Sequence, residues 1–424
     1  MTDQNSPFSV RRNLAILLRP QSGQLRPIDG LRALSILLVL AIHCVWFLSI
    51  FDTDAPTFFY SAPTWLNWVF NGELGVDVFF VISGFLISSI LMGEYRKSGT
   101  IRFGRFYQRR FMRLIPAYLL AIGLGLAAAL PNREYVWSNL LYINNLLPAS
   151  THFMPWTWSL AIEEQFYFLF PLLLLWLLRK RAPVFLMTAA VGAFVLSLLV
   201  RYWAIRYHQL ALPVCWYETT CDGFFDVIDA IYVKPWSRFG SFLPGIFAAY
   251  FHVFHREQLA EFFRRHRGAV NWLTLLSVLA VLGVLSVPVN NQSASFPEPW
   301  GTLYYTCYRN LFTAAVGIIL LSAIYSEGGA GGWLSRLLSS PFLYPIGQLA
   351  YSTYLFHPFV IGGVYTGIFE AAPGWSAPQI IAVVAAVSIP LSLGIAALVY
   401  LFVERPFMNM RGRQRHVPEV AAEG

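Results

Sequence analysis

Leu31–Phe51 reads LRALSILLVLAIHCVWFLSIF, with one arginine and one histidine among otherwise apolar or small side chains. As a helix rising 1.5 Å per residue it is about 31 Å long, the thickness of a bilayer's hydrocarbon core. Comparable runs recur at Leu74–Met92, Leu114–Leu130, Trp156–Leu178, Pro183–Val200, Trp236–Phe254, Val270–Val287, Leu303–Tyr325, Phe342–Thr366 and Pro378–Phe402. In lipid the backbone must satisfy its own hydrogen bonds, and apolar runs of this length do so as helices. The sequence therefore predicts an all-α fold, a polytopic transmembrane helical bundle of about ten spans embedded in the lipid bilayer.

Composition agrees. The chain is 57% apolar and only 12% charged, about half the charge of a soluble domain. No polar stretch is long enough for a separate soluble domain, and no repeat of 20 to 50 residues is visible. The expected organisation is a cytoplasmic segment 1–30, one transmembrane domain 31–403 and a cytoplasmic tail 404–424. The N-terminal residues hold no apolar run long enough for a cleavable signal peptide, so the first span serves as the targeting signal.

A net charge of +8 raises nucleic acid as a partner, but the distribution argues against it. With both termini placed inside, 24 of the 30 Lys and Arg fall in cytoplasmic segments. The other six are Arg133, Arg201, Arg206, Lys234, Arg238 and Arg309. Such a bias is the positive-inside signal, and it sets both ends in the cytoplasm. Cys215 and Cys221 share the outer loop Arg201–Pro235; if that loop faces an oxidising compartment it admits a disulfide. No Cys/His spacing of a metal site appears.

Ionisable groups at membrane depth are costly and therefore candidates for function. Arg32 and His43 have ten residues between them, which turns a helix to about 20° past three full turns and sets both on one face about 16 Å apart. Arg32, at the inner end of the span, can also snorkel to the headgroups; His43 lies too deep for that. Counting along the spans puts His43, Asp77, Glu163, Glu164 and His357 in one slab of the outer half-bilayer. An imidazole held there is a base toward a hydroxyl or a carrier of an acyl group. Glu163, rather than its neighbour Glu164, is expected to face the site; it or Asp77 would orient His43.

A second cluster lies inside: Arg96, Lys97, Arg102, Arg105, Arg109, Arg110 and Arg113, interleaved with aromatics. This exceeds what topology requires. Arg110 and Arg113 share a face if a helix has already begun, and paired guanidiniums suit a phosphate-bearing donor.

At these residues the chain resembles the acyltransferase 3 family, the membrane O-acyltransferases of bacterial surface glycans. The carriers are Arg32 with His43, GVDVFFVISGFL from Gly75 to Leu86, Arg110-Phe111-Met112-Arg113 leading into Pro116, WSLAIEEQFY from Trp158 to Tyr167, and Glu404-Arg405-Pro406-Phe407. YVKPWSR from Tyr232 to Arg238 is similar to the branch that includes the animal nose-resistant-to-fluoxetine proteins. The resemblance implies transfer of an acyl group, commonly acetyl, from cytoplasmic acyl-coenzyme A to a hydroxyl of a glycan at the outer face of a bacterial inner membrane. It makes Arg32 and His43 the essential pair and Arg110 with Arg113 the donor motif, with no permanently bound cofactor.

Some relatives carry a fused periplasmic hydrolase-like domain, whereas this sequence resembles the stand-alone form. With Ser159, Glu164 and His357 added on the substrate side, the expected path runs from the inner arginines to His43. That gap is roughly 18 Å, so the donor's arm must thread between spans. The acidic outer loop with Glu218, Asp222, Asp226 and Asp229 either recognises the acceptor or is simply solvated charge. The competing class is a transporter or flippase of a glycan or lipid-linked substrate, which would favour two matching halves with broken helices; no such duplication is visible. The sequence does not set the oligomeric state.

Overall fold

A computed structural model describes residues 6–20, 25–52, 54–179, 183–210, 223–289, 298–371 and 374–410, and the backbone alone for 183–187. The described residues contain no β-strand. The main helices are α1 Val10–Leu18, α2 Arg26–Trp46, α3 Leu74–Ser98, α4 Phe103–Ala127, α5 Trp158–Arg179, α6 Pro183–Tyr207, α7 Leu243–Phe254, α8 Arg267–Leu285, α9 Trp300–Tyr325, α10 Leu343–Ala371 and α11 Ala377–Val399. All ten expected segments are helical. Among the described residues, eight helices are long and apolar enough to cross a membrane. The protein is a multi-pass helical bundle.

Three boundaries differ from the sequence reading, and each matters for the site. α2 starts at Arg26, so Arg32 lies about 9 Å along the helix and not at its end. α4 starts at Phe103, which places Arg105, Arg109, Arg110 and Arg113 on helical turns. The expected span Trp236–Phe254 is broken into a turn Pro235–Arg238, a 3-10 turn Phe239–Phe242 and α7. Pro235 and Pro244 each remove a backbone donor there. Gly240 also lies so close to α6 that a Cβ would stand 2.5 Å from Ser197 Oγ.

Apolar burial does not drive helices together inside lipid, so close backbone approach and polar contacts must do it. α3 and α7 use glycine on both sides. A Cβ on Gly245 would meet the Val81 carbonyl oxygen at 2.0 Å, and one on Gly84 would meet that of Phe242 at 2.3 Å. α2 and α10 are pinned by a hydrogen bond from Tyr365 Oη to the Cys44 carbonyl, 2.5 Å. Among the described residues, the N-terminal and C-terminal segments meet: Asn409 Nδ2 donates to the Pro7 carbonyl at 2.9 Å and to Asn13 Oδ1 at 2.8 Å. Pro7, Asn13 and Asn409 therefore share one face of the bundle, as an even number of crossings between them requires.

Candidate active site

Arg32 and His43 emerge on α2 toward two different neighbours. Arg32 Nη1 donates to Asp29 Oδ1 at 3.4 Å, and Asp29 is in turn held by Gln348 Nε2 of α10 at 2.9 Å. Arg32 is thus fixed inside the protein and does not snorkel. It lines an inner pocket with Ser83, Arg110, Arg113, Ser159, Glu163 and Tyr354. Glu163 accepts from Ser83 Oγ at 2.8 Å and from Tyr167 Oη at 3.1 Å. Ser159 Oγ and Tyr354 Oη share a hydrogen bond of 2.7 Å.

Where α3 ends and α4 begins lies a cavity of about 660 Å³ lined by Lys97, Arg102, Arg105, Arg109, Arg110 and Arg113 among others. Arg110 and Arg113 line both this cavity and the inner pocket. The guanidinium of Arg110 lies over the Tyr167 ring, 4.7 Å from its centroid, which fixes it at the junction.

Beyond the pocket stand the two histidines. His357 contacts Tyr354 of the pocket wall with ring centroids 5.7 Å apart, and meets His43 edge to face at 4.7 Å. Pro358, within α10, has no N–H for the carbonyl four residues earlier. That carbonyl, on Tyr354, accepts instead from His357 Nδ1 at 2.8 Å. His43 Nδ1 donates to the Val39 carbonyl at 2.8 Å. Because carbonyl oxygen only accepts, each neutral ring carries its proton on Nδ1 and leaves Nε2 as a free base.

A family model described as an acyltransferase domain matches residues 26–397. The chain belongs to the acyltransferase 3 family. It is 26% identical over 425 residues to a protein of Staphylococcus aureus strain MRSA252 provisionally named an O-acetyltransferase, covering 92% of this chain and 59% of that one. Peptidoglycan O-acetyltransferase OatA of Listeria monocytogenes is 28% identical over 359 residues, covering 78% of this chain and 48% of its own. O-acetyltransferase OatA of Staphylococcus aureus strain NCTC 8325 is 27% identical, covering 89% and 56%. The chain thus spans about half the length of the curated relatives it matches. No solved structure matches it.

The acyltransferase bundle corrects two expectations about carboxylates. Asp77 does not orient His43: its oxygens are taken by Arg238 Nη1 at 3.0 and 3.2 Å, Arg309 Nη1 at 2.5 Å and Ser241 Oγ at 2.7 Å. Glu163 faces the pocket, yet its bonds run to Ser83 and Tyr167 and not to His43. Glu164 has no hydrogen bond among the described residues and does not line the pocket. Asp229 of the outer loop pairs with Lys234 at 2.8 Å, so it is not free for an acceptor. Cys215, Cys221, Glu218 and Asp222 lie outside the described residues.

Sequence reasoning missed Gln348, Tyr351 and Tyr354 on the pocket wall of α10. A signal existed, since Gln348, Tyr351, Tyr354 and His357 recur every third residue within an apolar span. It also missed the buried group of Arg201, Arg238 and Arg309, although each was among the six cations that did not fit the inside count.

Proposed function

We propose that this acyltransferase moves an acyl group, acetyl foremost, from cytoplasmic acyl-coenzyme A to a hydroxyl of an exported or surface glycan, working from a bacterial inner membrane with both termini inside. The observation that carries the reading is the continuity of groups. The basic cavity and the inner pocket share Arg110 and Arg113, and the pocket wall leads through Tyr354 to the histidine pair. Arginines at the mouth suit the donor's phosphates, which demand several forked donors. The narrow inner pocket suits the pantetheine arm. His43 Nε2, its proton-bearing nitrogen tied to Val39, acts as general base toward the acceptor or as transient acyl carrier. Arg32, in the inner pocket about 16 Å along α2 from His43, lines the arm's path. The Listeria relative's name makes peptidoglycan the first acceptor to try.

Purified protein in lipid vesicles, given radiolabelled acetyl-coenzyme A with and without peptidoglycan fragments, tests this. Glycan-dependent thioester consumption is expected, falling about 100-fold or more in His43→Ala. Consumption unchanged in that variant would overturn the site.

A further inference from the structure

Two neutral imidazoles with free Nε2 atoms stand in van der Waals contact, although one base would suffice for either mechanism left open above. Their surroundings differ. His357 is fully buried, and its Nε2 has no hydrogen-bond partner among the described residues. Thr353 Oγ1, one turn earlier on α10, is buried and equally unpartnered. So is Trp156 Nε1, whose own carbonyl accepts from Tyr354 Oη. Buried polar atoms left without partners are expensive, and His357 Nε2 with Thr353 Oγ1, four residues apart on one face of α10, marks a place for a small polar group such as a hydroxyl. His43 is only half-buried. A proton needs little clearance, whereas a nitrogen that attacks a thioester carbonyl must accommodate the acyl carbon and its substituents.

We propose that the pair divides the work: His43 Nε2 carries the acyl group in transit, and His357 Nε2 takes the proton of the acceptor hydroxyl. This rests on the acyl-transfer reading and settles its open choice between base and carrier. First, the His43 Nε2 lone pair adds to the thioester carbonyl. An N–C bond forms, the C–S bond breaks, and coenzyme A departs as thiolate while the acylimidazolium keeps its Nδ1 proton on the Val39 carbonyl. Next, the acceptor oxygen attacks the same carbon. An O–C bond forms, the N–C bond breaks to restore neutral His43, and the hydroxyl proton moves to His357 Nε2. That proton then passes to the thiolate, so thioester and alcohol have become ester and thiol.

The test is rapid-quench labelling with carbon-14 acetyl-coenzyme A in vesicles, with peptidoglycan fragments as acceptor. In His357→Gln, coenzyme A binding stays unchanged, label accumulates on the protein, and ester product falls about 100-fold. His43→Ala takes up no label. A normal product rate in His357→Gln overturns the proposal, as does joint loss of label and product in a variant that still binds coenzyme A. The unaltered chain gives an arm that does not depend on a variant's folding. Without acceptor it must label the peptide holding His43, and consumption without that label also overturns the proposal. Absence of any thioester consumption by the unaltered chain would instead sink the acyl-transfer reading itself.

Discussion

Arg309 Nη1 stands 2.5 Å from Asp77 Oδ2 and 2.8 Å from Glu73 Oε2 inside the bundle, tying α9 to the N-terminal end of α3. Arg238 closes the group from the broken stretch before α7, its guanidinium between the rings of Trp158 and Tyr232 at 4.8 and 4.5 Å. Three cations that stand outside the cytoplasmic count are therefore interior groups, held by carboxylates and carbonyls. They join α3, α6, α9 and the turn at Pro235–Arg238 in the half of the bundle that also holds the histidines.

Asp77→Ala removes the carboxylate shared by two fully buried arginines. Breaking a buried pair in this way costs about 3–5 kcal/mol, much of the stability of an ordinary domain. The expected result is a large fall in the thermal unfolding midpoint of detergent-purified protein. An unchanged melting curve would show that the network does not anchor the outer half.

Arg110→Ala with Arg113→Ala should weaken donor binding without disturbing topology, since 22 of the 24 inside charges remain. Charge-assisted hydrogen bonds contribute about 1.5–3 kcal/mol each, so the Kd for coenzyme A should rise at least about tenfold. Titration calorimetry in lipid measures the Kd, and cysteine labelling maps the orientation. An inverted map, or an unchanged Kd, would refute the separation of donor binding from insertion.

How far the residues alone reach is clear from α2 and α3. The ten helical segments were legible because bilayer thickness fixes span length and lipid forbids unpaired backbone. His43, Arg32 and the Arg110 and Arg113 pair were legible because a charge or imidazole stands out in an apolar run. Partner choice was not. Depth counting put Asp77 near the level of His43, but only packing decides that its side chain turns to Arg238 and Arg309. The same limit applies to α10, where hydropathy conceals a polar stripe that the neighbouring helices turn into a pocket wall.

Glu163 and Glu164 offer a direct contrast within one helix turn. Glu163 lines the inner pocket and accepts from Ser83 and Tyr167, whereas Glu164 has no hydrogen bond among the described residues. Losing a hydrogen-bonded buried acceptor costs about 1–2 kcal/mol, so Glu163→Gln should slow acyl transfer about 5- to 30-fold. Glu164→Gln should stay within about threefold of the unaltered chain. Steady-state thioester assays of the two variants decide the matter, and the reverse order would move the site to the other face of α5.

Gly347 sets how closely α10 approaches α2. A Cβ there would lie 2.2 Å from the carbonyl oxygen of Asp29, which is backbone and cannot rotate away. Gly347→Ala must push the helices apart, at a cost of about 1–3 kcal/mol for overpacking. The displacement acts on the site directly, because Gly347 and Gln348 line the pocket and Asp29 holds Arg32. Gly363, on the same helix, has nothing within 4 Å of its would-be Cβ. Gly363→Ala should therefore be neutral or stabilise by up to about 1 kcal/mol through helix propensity. Thermal unfolding and acyl-transfer rates of both variants test the contrast: Gly347→Ala should lower both, Gly363→Ala neither. Equal behaviour of the two would mean that helix spacing at Asp29 does not control the pocket.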